Sequence, residues 1–123
     1  MKPLISTCAL FLSIAAPVWA DDYDTLYRGL TAASYRHLQT TYNCRAALGP
    51  SAYREARITA ENVLRISGVA TDIALNEVDR MVAKIETGES DTNRTSLNPC
   101  LDNTRRSLSN VRAWQKKVAV YWQ

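Results

Sequence analysis

Few side chains in this sequence could do chemistry: three cysteines, Cys8, Cys44 and Cys100, a single histidine, His37, and scattered carboxylates. A structural metal site takes about four ligands at set spacing. One imidazole and a few thiols do not supply that set, so no metal and no other cofactor is expected. His37 lies between Arg36 and Leu38 and reads as a surface or edge histidine of a helix. A Ser–His–Asp triad need not be contiguous in sequence, but the chain has no Gly-x-Ser-x-Gly turn and no glycine-rich phosphate loop. Glu77 and Asp79 point to different parts of a helix surface, and Glu86 and Glu89 straddle a helix end, so these carboxylates read as solvated charges. The expectation is a protein that is not an enzyme.

The cysteines are better understood through the start of the chain. Lys2 is followed by an uncharged apolar run from Leu4 to Ala16, then Pro17, then Val18-Trp19-Ala20 ahead of Asp21-Asp22. A positive start, a short apolar stretch and small or modest residues at the −3 and −1 positions form a secretory signal peptide, residues 1–20. The apolar run is too short for a spanning helix, which needs roughly 20 residues. Cys8 lies inside that run rather than closing it, as a lipid-bearing cysteine would, and it leaves with the leader. The expected mature chain, residues 21–123, is one small domain in an oxidising compartment with two cysteines left, and Cys44 and Cys100 are expected to form a disulfide. A small domain gains much from such a staple.

Apolar spacing supplies the elements that hold the staple. Tyr23, Leu26, Tyr27, Leu30, Ala33, Ser34, Leu38, Thr41 and Tyr42 recur at steps of three and four, which predicts a helix from Asp22 to about Ala47. Gly29 weakens it by up to about 1 kcal/mol relative to alanine. Gly49-Pro50 stops it, and Ser51 can N-cap a second helix to about Ser67. Ile73, Ala74, Leu75, Val78, Met81, Val82 and Ile85 mark a third, from Thr71 or Asp72 to about Thr87. A polar loop, Gly88 to Pro99, leads to a fourth helix opened by Asn98-Pro99-Cys100, in which Leu101, Thr104, Leu108, Val111, Gln115, Val118 and Trp122 form a near-heptad stripe broadened by Trp114 and Tyr121. No strand-like alternation or internal repeat is present. The expected fold is all-α, a four-helix, largely antiparallel bundle with one disulfide.

Without Lys2, fourteen basic side chains face twelve acidic ones. That excess is too mild to point to nucleic acid, and no stable membrane insertion is expected once the leader is gone. The last helix is nonetheless basic, with Arg105, Arg106, Arg112, Lys116 and Lys117 against Asp102. A helix C-terminus favours cations by itself; a contact with an acidic partner would use the same residues. Tyrosines crowd the first half of the chain and can serve either a small core or a binding groove. The candidate partner-binding residues are Tyr35, Tyr42, Tyr53, Arg105, Arg112, Trp114, Tyr121 and Trp122, and the expected ligand is another protein, for example a helix laid into a groove.

Tyr35-x-x-Leu38, Tyr42-Asn43-Cys44-Arg45, Pro50 and a second cysteine, Cys100, leading the final helix together resemble the pilotins of type II secretion systems. The resemblance covers most of the expected mature chain in outline. It implies a periplasmic four-helix protein that binds a helical segment of a secretion-machine subunit and acts as its chaperone or adaptor. Pilotins are usually lipoproteins, and the placement of Cys8 departs from that pattern, so only the groove-binding role carries over. The alternative is a periplasmic immunity protein that inhibits a secreted toxin enzyme, with the Gly88–Pro99 loop as its plug.

Overall fold

A computed structural model of the chain describes residues 18–88 and 93–122. The described residues form five helices and no strand: α1 (Val18–Asn43), α2 (Arg45–Leu48), α3 (Pro50–Ile66), α4 (Thr71–Glu86) and α5 (Leu97–Tyr121). The fold is all-α. None of these helices is long and apolar enough to cross a membrane. The expected leader lies outside the described residues except for the backbone of Val18–Ala20, which continues α1.

The stretch expected as the tail of the first helix is a separate turn. α1 ends at Asn43, and α2 restarts at Arg45 after Cys44. Gly49 closes α2 and opens α3 with φ +81°, a left-handed conformation that glycine adopts without steric cost. Pro50 follows at the first helical position, where its missing N–H costs nothing. Ser51 is therefore inside α3, and the cap expected of it belongs to Gly49. The last helix starts earlier than expected, with Ser96 as its N-cap residue.

α1 is the central element. It packs most extensively on α5, then on α3, and also on α4. The Tyr23 hydroxyl donates to Ser67 O at the end of α3, while Tyr42 meets Tyr53 at the start of α3, so α1 and α3 run in opposite directions. Cys44 is bonded to Cys100 (Cα–Cα 5.8 Å), and Tyr23 tilts against Tyr121, so α1 and α5 are opposed as well. Leu30 and Leu38 of α1, Ala60, Val63 and Leu64 of α3, and Val78, Met81 and Ile85 of α4 fill the core. Side chains spaced this way leave one apolar stripe per helix, and its burial is the main stabilising term.

The α1–α5 seam differs in composition and in phase from the stripe expected for the last helix. The residues that α5 turns inward are Cys100, Ser107, Val111 and Val118, with Thr104, Trp114 and Tyr121 half-buried in the same row. Their steps of four and three make a heptad pattern, set one residue away from the expected row at several positions. Leu101 and Trp122, assigned to that row, are exposed, and Leu108 and Gln115 are half-buried. Two contacts fix the phase. Cys100 has to face Cys44, and the Trp114 indole lies directly on Gly29, where a Cβ would overlap the ring. The glycine that looked like a weakness of the first helix is the seat for a tryptophan of the last.

Candidate functional site

α4 and α5 both pack on α1, but they make no comparable contact with each other among the described residues. The flank of α1 next to α4 is consequently left open as a groove of about 510 Å³. From α1 it is lined by Tyr27, Arg28, Thr31, Ala32 and Tyr35, and from α4 by Glu77, Arg80, Met81 and Lys84. Each set recurs at three- and four-residue steps, so each is one face of its helix. Small residues, Thr31 and Ala32, keep the α1 wall low, and the Thr31 hydroxyl is turned back onto Tyr27 O at 2.8 Å. Two half-buried rings, Tyr27 and Tyr35, form the apolar wall, with Met81 beneath.

Charge sits on the rim. Arg80 is paired with Glu77 and Arg28 with Asp24, while the Lys84 ammonium lies 5.5 Å from the centre of the Tyr35 ring. Burial, then the nearby Glu77 carboxylate, pushes the Tyr27 phenol up from its ordinary range, so it stays a neutral donor. Aromatic walls, a flexible methionine and a charged rim suit the apolar stripe of an incoming helix.

The remaining candidate residues are dispersed. Tyr42 and Tyr53 meet edge to face at 5.1 Å, the Arg45 guanidinium covers the Tyr42 ring at 3.5 Å, and the Tyr53 hydroxyl donates to Glu86 at 3.0 Å. Burial and the Glu86 carboxylate raise the Tyr53 pKa. This group ties the start of α3 to the ends of α1 and α4, next to the disulfide. Trp114 is taken up by Gly29 on one side and by the Lys117 ammonium, 4.2 Å from its ring. Tyr121 lies on Tyr23, and Trp122 donates from Nε1 to Ser67 O at 3.2 Å while remaining 58% exposed. Arg105 and Arg112 are exposed on α5. Of the eight candidates, Tyr35 alone lines the groove. Sequence reasoning placed Tyr27 and Met81 in the apolar stripes of their helices but not in a groove, and it missed Arg28, Thr31, Ala32, Glu77, Arg80 and Lys84, because small, polar and charged side chains give no hydrophobic signal.

His37 is not a surface histidine. It is buried, 4% exposed, in the α1–α5 seam, with Nδ1 2.6 Å from Ser107 Oγ. Ser107 Oγ also lies 3.0 Å from Thr104 O, so its single proton goes to that carbonyl or to the imidazole according to the tautomer of His37. Both side chains are buried, His37 at 4% and Ser107 at 7% exposure, so the pair lies inside the seam rather than on an open surface. Burial, followed by the field of Arg112, lowers the His37 pKa to about 4, so the ring is neutral at pH 7. No group of three or more His, Cys, Asp or Glu side chains among the described residues could hold a metal ion.

The expected plug loop is partly described. Residues 89–92 lie outside the described set, but Asn93 Oδ1 accepts from Ala46 N at 3.0 Å and Arg94 N donates to Asn43 O at 2.6 Å. The far end of the loop is thus tied to the α1–α2 junction. No family model, no curated protein and no solved structure matches this chain.

Proposed function

We propose that this chain is a non-enzymatic periplasmic protein, exported by residues 1–20, that binds a helical segment of a partner protein in the α1–α4 groove. In this reading it is a pilotin-like chaperone or adaptor of a secretion or envelope machine. The four long helices form a largely antiparallel bundle, with short α2 as an insertion, and the bundle is open on the side where α4 and α5 do not meet. The observation that carries the reading is the groove itself: the half-buried rings of Tyr27 and Tyr35, over buried Met81, line an apolar cleft between two helices, bordered by charge. The His37–Ser107 pair is buried in the α1–α5 seam, away from the groove. The toxin-immunity alternative gains no such support, because the described end of its loop is bonded back to the body of the protein.

The test is site-specific photo-crosslinking in the native host, with the photoreactive residue at Arg28 on the groove rim or at Ile58 on the exposed side of α3. Adducts confined to the Arg28 position, mapping by mass spectrometry to a helical segment of an envelope-machine subunit, are expected. An adduct with a secreted hydrolase would establish the immunity reading instead. Adducts at Ile58 and none at Arg28 would exclude the groove as the docking site.

A further inference from the structure

Beyond Asp102, the solvent face of α5 carries charge of one sign. Arg105, Arg112 and Lys116 surround a shallow depression of about 480 Å³ whose remaining lining is Leu108, Ser109 and Ala113. Positions 105, 109, 112 and 116 follow one another at steps of four, three and four, so they form a single stripe along the helix. None of the three cations forms an ion pair among the described residues, whereas Arg28, Arg57, Arg80 and Arg106 are each held by a carboxylate. The unmatched charge reaches the interior: Arg112 is one of the two causes that hold His37 below its ordinary range. Between the cations, half-buried Leu108 and exposed Ala113 give an apolar floor that a purely solubilising face would not need.

We propose that this face is a second docking surface, separate from the α1–α4 groove, and that it takes an acidic amphipathic helix of a partner protein. Carboxylates one and two turns apart on that helix would meet Arg105, Arg112 and Lys116, and its aliphatic side chains would lie on Leu108 and Ala113. Charge complementarity selects the occupant. A nucleic acid would call for a broader basic surface, while the whole chain carries a formal charge of only +3. A bilayer surface would call for exposed large apolar or aromatic side chains among the cations, and the one large apolar residue of the depression, Leu108, is half-buried. Arginine forks recognise carboxylates in a planar, bidentate way.

The probe is a capped synthetic helix with glutamates at i, i+4, i+7 and i+11 and leucines between them, titrated into the oxidised full-length mature chain by calorimetry. Binding is expected to weaken with added salt, to fall by about tenfold or more for Arg112→Glu, and to be lost for the triple change R105E/R112E/K116E. The groove variant Ala32→Arg should bind the peptide as the parent does. Circular dichroism checks that the variants are folded; because Arg112 is exposed, Arg112→Gln provides a milder version, with a smaller but measurable loss. The proposal is overturned if the peptide does not bind, if its lysine-for-glutamate counterpart binds equally well, or if the triple variant binds undiminished. It is also overturned if phosphatidylglycerol vesicles or single-stranded DNA bind the same face more tightly than the peptide does.

Discussion

The two flanks of α1 are built on opposite principles. Toward α5 the helix is closed: Cys44 is covalently bound, His37 and Ser107 satisfy each other, and Gly29 leaves room for the Trp114 indole. Toward α4 it is open, with Thr31 and Ala32 low enough to leave space between Tyr27, Tyr35 and Met81. The closed flank uses small and polar residues to bring two backbones together. The open flank sets two half-buried rings, Tyr27 and Tyr35, around a buried thioether, Met81. In a domain this small most apolar area is needed for stability, so an unfilled groove beside a stapled seam separates the part that holds the fold from the part available to a ligand. Changes on the closed flank should cost stability, and changes on the open flank should cost binding.

The largest effect should come from the bond that closes the α5 flank. Cys44→Ser with Cys100→Ser removes a cross-link spanning 56 residues. Chain entropy puts its contribution at about 4 kcal/mol. Urea unfolding of the oxidised protein and of the double variant measures the difference, and hydrogen exchange should show the first turns of α5 losing protection ahead of α3 and α4. Uniform loss of protection would mean that the two flanks are not energetically distinct.

The same flank makes stability depend on pH. The His37 pKa lies at about 4 in the fold and near the ordinary 6.5 in the unfolded chain. Above pH 6.5 the ring is neutral in both states, and the fold bears no penalty. As pH falls from 6.5 toward 4 the unfolded chain takes up a proton that the folded chain does not, so stability is lost across that window. The loss between pH 7 and pH 5 is about 2 kcal/mol. Denaturation at both pH values should show it, and His37→Gln should flatten the profile over that range. A histidine that titrates near 6.5 by NMR in the folded protein would place the imidazole in water and undo the assignment of a dry seam.

The sequence carried the frame of this fold further than its surface. Four amphipathic stretches, the breaks at Gly49 and Gly88 and the pairing of Cys44 with Cys100 were legible because periodicity, backbone permissiveness and cysteine count each act locally or through composition. The phase of α5 was not. Its leucines at 101 and 108 suggested one stripe, while the seam follows Ser107, Trp114 and Tyr121, because the disulfide and the Gly29–Trp114 contact outweigh the burial of two leucines. The burial of His37 was hidden for the same reason, since its partner lies 70 residues away. The groove was the least legible feature. It goes with the lack of any extensive contact between α4 and α5 among the described residues, a property of helix arrangement that no local pattern encodes.

A smaller effect tests the fit at Gly29. Replacing a glycine inside an exposed helix by alanine normally stabilises by up to about 1 kcal/mol. Here the added methyl would overlap the Trp114 ring, which is itself overlaid by the Lys117 ammonium. Overpacking of this kind costs about 1–3 kcal/mol, so Gly29→Ala should be destabilising by about 1 kcal/mol after the helix gain, with a change in tryptophan fluorescence. A stabilised variant would show that the indole swings aside freely and that the seam is less closed than its geometry indicates.

The smallest effect is expected three residues further along the same helix. Ala32 is exposed in the wall of the groove, and arginine is nearly as good a helix former as alanine. Ala32→Arg should therefore change stability by no more than about 0.5 kcal/mol, the range of surface substitutions away from special features. Its side chain nonetheless projects into the space between Tyr35 and Met81, where an incoming helix would lie. Loss of the crosslinked partner complex with an unchanged unfolding curve is the expected result. Gly29→Ala and Ala32→Arg then form a matched pair on one helix: one methyl that weakens the fold, and a long charged side chain that leaves the fold alone but blocks the ligand. If Ala32→Arg instead unfolds the protein, α4 closes onto α1 more tightly than an open groove permits, and the division between a holding flank and a binding flank fails at its weakest point.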